Sequence, residues 1–240
     1  MEEGRAAQLK RLAALPEHLR LGITLPGMRK LLSELPPDAV EQVNAKIPRE
    51  DSRRVGCFTR KGRRKYPKNK TLNGYVSQYF VTRWEEEDGN SVCERLRTRD
   101  SPHVGKATVF VSWFLDTPIA TLLAALANFL KQKGLREEDT FFWVCDYVIR
   151  QTDVHADLEW LGEIISAIGH TVLLMEQWHD PQPLKRAYCI KEVYHTQISG
   201  AAFDVVMSTE QQKAFERALV RGFASVTGKL SQVDVRQVRA

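Results

Sequence analysis

The sequence predicts an α/β fold, a parallel sheet with helices on both faces, preceded by a mostly helical or irregular N-terminal region. Three observations lead there. From residue 105 onward, short apolar runs alternate with amphipathic stretches in the order βαβαβαβα. Those apolar runs are continuous rather than alternating, as in strands covered on both faces. Charge is also unevenly divided: residues 1–104 carry 21 Lys+Arg and 14 Asp+Glu, whereas residues 105–240 carry 14 and 16. These shifts divide the chain into a helical region 1–52, a basic lead-in 53–104 and an α/β domain 105–240.

In chain order, "GRAAQLKRLAAL" places Leu9, Leu12 and Leu15 at helical spacing and ends at Pro16. "PGMRKLLSEL" is a second helical stretch, stopped by Pro36 and Pro37. Asp38 suits the N-cap of "AVEQVNAKI", which Pro48 closes. The stretch 53–70 holds nine cations and no acid, the pattern of a solvated loop that could also attract a nucleic-acid backbone. "GYVSQYFVTRW" at 74–84 is rich in β-branched and aromatic residues and is expected to be extended.

The second half is more regular. "KATVFVSWFL" follows Gly105 as a buried strand. Asp116 or Thr117 can cap the helix "IATLLAALANFLKQKG", with Pro118 near its start and Gly134 at its end. "TFFWVCDYVI" at 140–149 is the second strand, and "ADLEWLGEIISAIG" at 156–169 the helix after it. "HTVLLMEQW" at 170–178 is the third strand, and a helix containing "KRAYCIKEVYH" follows. "AFDVVMS" at 202–208 is the fourth strand, followed by a helix that Thr209 can cap.

The chain is 43% hydrophobic and 27% charged, enough apolar content for a real core. It contains no apolar run of eighteen residues, so no membrane span is expected. The opening Met-Glu-Glu lacks the layout of a signal peptide, and Cys57, Cys93, Cys145 and Cys189 show no paired spacing. Reduced thiols and a cytoplasmic location are expected.

In parallel α/β sheets, ligands bind beyond the carboxyl ends of the strands. That rule selects Ser112, Trp113 and Phe114 after the first strand, the stretch Asp146 to Gln151 after the second, and Trp178 with His179 and Asp180 after the third. Glu192 lies four residues after Tyr188 and three after Cys189, which puts a carboxylate on the apolar face of its helix. Neither a Gly-rich dinucleotide loop nor a phosphate-binding loop is present, nor a nucleophile elbow, nor paired metal-ligand histidines. No metal is expected.

The motifs "VFVSW" (109–113), "FFWVCDYVIRQ" (141–151), "WHDPQPLKRAYCIKEVYHT" (178–196) and "FDVVMS" (203–208) together resemble a TIR-like domain of the type common in algal and protist proteins. Tyr188-Cys189-Ile190-Lys191-Glu192 stands where that family carries Trp-Cys-x-x-Glu. The likeness runs from about residue 92 to 240. Two departures are the tyrosine in place of the tryptophan and Trp113-Phe114 where an arginine often follows the first-strand serine.

This resemblance implies a flavodoxin-like sheet with strand order 2-1-3-4. It also implies cleavage of NAD at the nicotinamide–ribose bond, with Glu192 as the catalytic residue and no added cofactor. Ser112, Trp113, Phe114, Asp146, Gln151, Trp178 and Tyr188 are then the residues expected to bind NAD or a related nucleotide. Breaking that C–N bond builds positive charge on the ribose, which a carboxylate stabilises as in glycoside hydrolysis. Expected partners are further copies of the chain or other TIR-like domains. The alternative within the same family is a non-enzymatic signalling scaffold.

Overall fold

A computed structural model describes residues 10–46 and 69–230. Among these residues six strands form one mixed sheet: β1 (Leu21–Ile23), β2 (Val104–Lys106), β3 (Val109–Ser112), β4 (Phe142–Trp143), β5 (His170–Leu174) and β6 (Ala202–Val206). Their order is β2-β1-β4-β3-β5-β6. The four strands of the second half are parallel neighbours with β3 in the interior, registered as Phe110 opposite Trp143 and Thr171. Every residue of β3 is buried. Because successive side chains point to opposite faces, both faces of that strand must be covered.

The helices are α1 (Leu25–Ser33), α2 (Ala39–Lys46), α3 (Gly74–Asp88), α4 (Val92–Thr98), α5 (Ile119–Lys133), α6 (Cys145–Val148), α7 (Val154–Glu159), α8 (Leu161–Ile168), α9 (Ala187–Ser199), α10 (Thr209–Arg221) and α11 (Phe223–Leu230). Residues 10–14 are also helical. The helices α5 and α8 stop at Gly134 and Gly169, whose left-handed backbone (φ 64° and 72°) ends a helix at no side-chain cost. None of the helices among the described residues is long and apolar enough to cross a membrane.

Several local expectations are corrected. The stretch 74–84 is helical rather than extended. Asn73 caps α3 by accepting from the Val76 N–H, and Val76, Phe80 and Val81 recur at helical spacing on its buried face. The expected second strand contracts to Phe142–Trp143, after which the chain turns into α6. The helix expected over 156–169 is broken at Trp160 into α7 and α8. Ser208, not Thr209, caps α10, its hydroxyl accepting from the Gln211 N–H.

The division expected at residue 104 does not separate two cores. Strand β1 pairs antiparallel with β2 and with β4, so the N-terminal region extends the same sheet. One apolar cluster joins Leu12, Leu19, Ile23 and Met28 to Phe110, Leu126, Trp143 and Ile164. The Trp143 indole N–H donates to the Leu19 carbonyl at 3.0 Å while its ring stacks on Phe110 at 4.8 Å. A ring that packs on one side of the boundary and bonds across it ties the two regions together.

Candidate active-site cleft

Strand β3 delivers Ser112 to the carboxyl edge of the sheet, and α9 carries Glu192 to meet it. The Ser112 hydroxyl, fully buried, donates to Glu192 Oε2 at 2.5 Å. Helix α9 is fixed against the sheet by Thr196, whose hydroxyl donates to the Glu192 carbonyl and is hydrogen-bonded to the Thr171 hydroxyl on β5. One turn before Glu192, Cys189 is buried with its thiol directed at the Trp113 carbonyl, 3.6 Å away. The face on which sequence spacing put Tyr188, Cys189 and Glu192 is thus the face turned toward β3.

Glu192 keeps some exposure as a residue. Enough protein surrounds its carboxyl, however, that burial pushes the pKa up to about 8, against the opposing hydrogen bond from Ser112. Asp146 is 1% exposed, and burial raises its pKa to about 7. Its Oδ2 accepts from the Cys145 thiol at 3.5 Å. Its Oδ1 and the Trp113 indole N–H both lack a hydrogen-bond partner. The indole lies near enough to oppose the rise in Asp146 without reaching bonding geometry. Two carboxyls, one just after β4 and one on α9 against the end of β3, therefore have pKa values raised toward neutral pH by burial. Burial also pushes the Cys145 thiol well up and that of Cys189 up to about 12, so neither is a ready nucleophile.

A cavity of about 150 Å³ opens between these elements. Trp113, Phe114, Gln151, Tyr188 and Glu192 all line it, so five of the eight residues expected from sequence meet in one place. Ser112 joins them through its bond to Glu192. Asp146 lies behind the wall formed by Cys145 and Trp113. Tyr188 is 44% exposed and offers a ring at the mouth. The Arg186 guanidinium sits 5.2 Å from the centre of the Phe114 ring, bringing a cation to the same rim.

Trp178 is elsewhere. It packs edge-on against Phe215 of α10, centroids 5.5 Å apart, in a separate cavity of about 470 Å³. A further hollow, about 660 Å³, lies outside α8 and α9 and contains none of the expected site residues. Residues 53–68 of the basic block lie outside the described residues.

Sequence reasoning missed Gln78, Cys145 and Arg186 among the lining residues. Gln78 comes from α3, and its amide donates to Gln151 Oε1 at 2.7 Å. Arg186 stood within the quoted motif and could have been read as a rim cation. Nothing local marks Gln78. Among the described residues, no group of three or more His, Cys, Asp or Glu side chains is arranged to hold a metal ion. Comparison with family models, curated proteins and solved structures found no match to this chain.

Proposed function

We propose that this chain is a TIR-like domain of flavodoxin-like architecture and that its cleft cleaves NAD at the nicotinamide–ribose bond. The observation that carries the reading is the Ser112–Glu192 pair at the end of an interior parallel strand, set among Trp113, Phe114 and Tyr188. The strand order β4-β3-β5-β6, second-first-third-fourth among the parallel strands, supports the architecture.

The chemistry follows from charge. As the C–N bond breaks, its electron pair stays on the nicotinamide nitrogen, which leaves neutral, and the ribose carbon becomes cationic. An ionised Glu192 beside that carbon stabilises the cation. Water then adds to the carbon and loses a proton to solvent. A carboxyl with pKa near 8 ionises more readily once a cationic pyridinium lies beside it, because opposite charge favours the charged form. The cavity is smaller than the roughly 300–1,000 Å³ usual for small-molecule sites. It accommodates the reacting end of the dinucleotide, with the remainder passing Tyr188 toward solvent.

The test is release of nicotinamide from NAD, followed chromatographically over a range of protein concentrations. Release that scales with protein and disappears in the Glu192→Gln variant supports the reading; no release at any concentration overturns it. A scaffold function is favoured by a different observation: Tyr194 and Ile198 on α9 are 60% and 62% exposed, apolar surface suited to a partner. Sedimentation that shows self-association without nicotinamide release would select it.

A further inference from the structure

We propose that α3, from the N-terminal region, is the outer wall of this site, with Gln78 contacting the ligand and Glu85 acting as a positioning residue. The inference rests on the reading of the cleft as a ligand site. Helix α3 spans the carboxyl ends of β3 and β4 and is tied to the loops that follow both strands. At its start, the Gly74 N–H donates to the Leu115 carbonyl at 2.8 Å. A side chain at Gly74 would meet Trp113 and Leu115 at 2.8 Å, so this close approach to the cleft requires glycine. At its far end, Glu85 is 1% exposed and points into the loop after α6. Its carboxylate accepts from the Gln151 N–H at 2.5 Å, the Thr152 N–H at 2.9 Å and the Thr152 hydroxyl at 2.5 Å.

Between those anchors lies Gln78, which lines the cavity and bonds to Gln151. Gln151 in turn donates to the Ile149 carbonyl at 3.1 Å. Each primary amide has donor and acceptor capacity beyond these bonds. A pair of such amides at a cavity rim matches a ligand that carries a carboxamide of its own, as nicotinamide does. A buried carboxylate that accepts three bonds from one loop leaves that loop little freedom. Glu85 therefore fixes where Gln151 stands opposite Gln78.

Cys145 lines the cavity and Cys93 is buried in the core, so the two thiols report local and global opening separately. Iodoacetamide labelling of each is followed by peptide mass spectrometry in the wild type, Glu85→Gln, Thr152→Val and Gln78→Ala. Glu85→Gln turns an amide toward two N–H donors, and Cys145 should label about tenfold faster while Cys93 does not change. Thr152→Val removes one bond and should give roughly a threefold rise. Nicotinamide should protect Cys145 in the wild type, and Gln78→Ala should raise the half-protecting concentration about tenfold.

Unchanged Cys145 labelling in Glu85→Gln overturns the role of Glu85. If Cys93 and Cys145 rise together there, the protein has opened globally and Thr152→Val decides, an unchanged rate overturning the proposal. Unaltered protection in Gln78→Ala removes Gln78 from the ligand contacts. Absence of nicotinamide release from NAD would sink the glycohydrolase reading and leave the Glu85 result standing. Release from NAD with unchanged Cys145 labelling would do the reverse.

Discussion

Two cavities open at the carboxyl ends of the parallel strands. The one beside β5, β6 and α10 measures about 470 Å³ and is lined by Phe129, Met175, Trp178, Val205 and Phe215, with Glu216 its one ionisable lining residue. The one beside β3, β4 and α9 measures about 150 Å³ and has Arg186, Tyr188, Cys145, Cys189 and Glu192 in its walls, with Asp146 behind them. The larger hollow offers apolar area and the smaller one offers perturbed carboxyls. Volume follows from how closely a helix happens to pack: α10 has no buried residue at all, so a gap remains beneath it. Carboxyls with pKa values of about 7 and 8 are costly to hold in place and are characteristic of working sites. That contrast favours the small cavity as the candidate site.

The largest effect that can break this comparison concerns Asp146. Its pKa rises from 3.8 to about 7 in the fold, so between those values the native state holds a proton that the unfolded state has released. Stability from this group is fully present below about pH 4 and is lost as pH rises through 7. Three pKa units correspond to roughly 4 kcal/mol. The Asp146→Asn variant does not titrate there. From pH 4 to pH 8, the gap in urea-unfolding stability should therefore move by roughly 4 kcal/mol in the variant's favour. Glu192 titrates in both proteins and cancels. A gap that does not vary with pH would show that Asp146 is not held in the protonated form.

Next is Glu192 itself. Glu192→Gln preserves shape and the bond to Ser112 but removes the charge that stabilises a ribosyl cation. If the cleft cleaves NAD as proposed, loss of about 3 kcal/mol should slow that cleavage on the order of a hundredfold. Its melting temperature should hold or rise above pH 8, where the wild type must carry a buried charge. Turnover that survives the substitution moves the chemistry away from this cleft.

How far such a site could be read in the sequence depends on the range of the signal. The four parallel strands, the glycines ending α5 and α8, and the position of Glu192 on the Tyr188–Cys189 face all follow from local periodicity. Strand β1 is three residues long, too short to show a period, and its place in the sheet depends on partners 80 and more residues away. The stretch that forms helix α3 reads as extended because its β-branched and aromatic residues favour strands in isolation. Its caps and tertiary packing decide otherwise. Glu85 and Gln78 acquire meaning only through Gln151 and Thr152, and no pattern in a single sequence records that pairing.

A smaller effect sharpens the comparison by exchange of aromatics. Phe215→Ala in the apolar cavity should cost about 1–2 kcal/mol, less than the 3–5 kcal/mol of a fully buried phenylalanine, because Phe215 is only half-buried. It should leave NAD turnover unchanged. Tyr188→Ala at the mouth of the small cavity should do the opposite, raising KM for NAD severalfold with little change in melting temperature. Equal effects on both quantities from both variants would erase the distinction between the two hollows.

The smallest effect is expected at Ser112, and it isolates what the hydroxyl contributes. Ser112 donates to the Glu192 carboxyl and so favours its ionised form, partly offsetting burial. Removing that donor in Ser112→Ala raises the carboxyl pKa further. If ionised Glu192 is the working form, kcat/KM in the wild type climbs with pH toward a plateau above about 8. In the variant the same limb moves upward by about one pH unit, since loss of a charge-assisted bond of about 1.5 kcal/mol equals roughly that shift. Stability should fall by only about 1 kcal/mol, because alanine fills most of the space and the neutral carboxyl needs the donor less. A profile that drops in height without moving along the pH axis would mean that Ser112 orients the substrate rather than tuning Glu192.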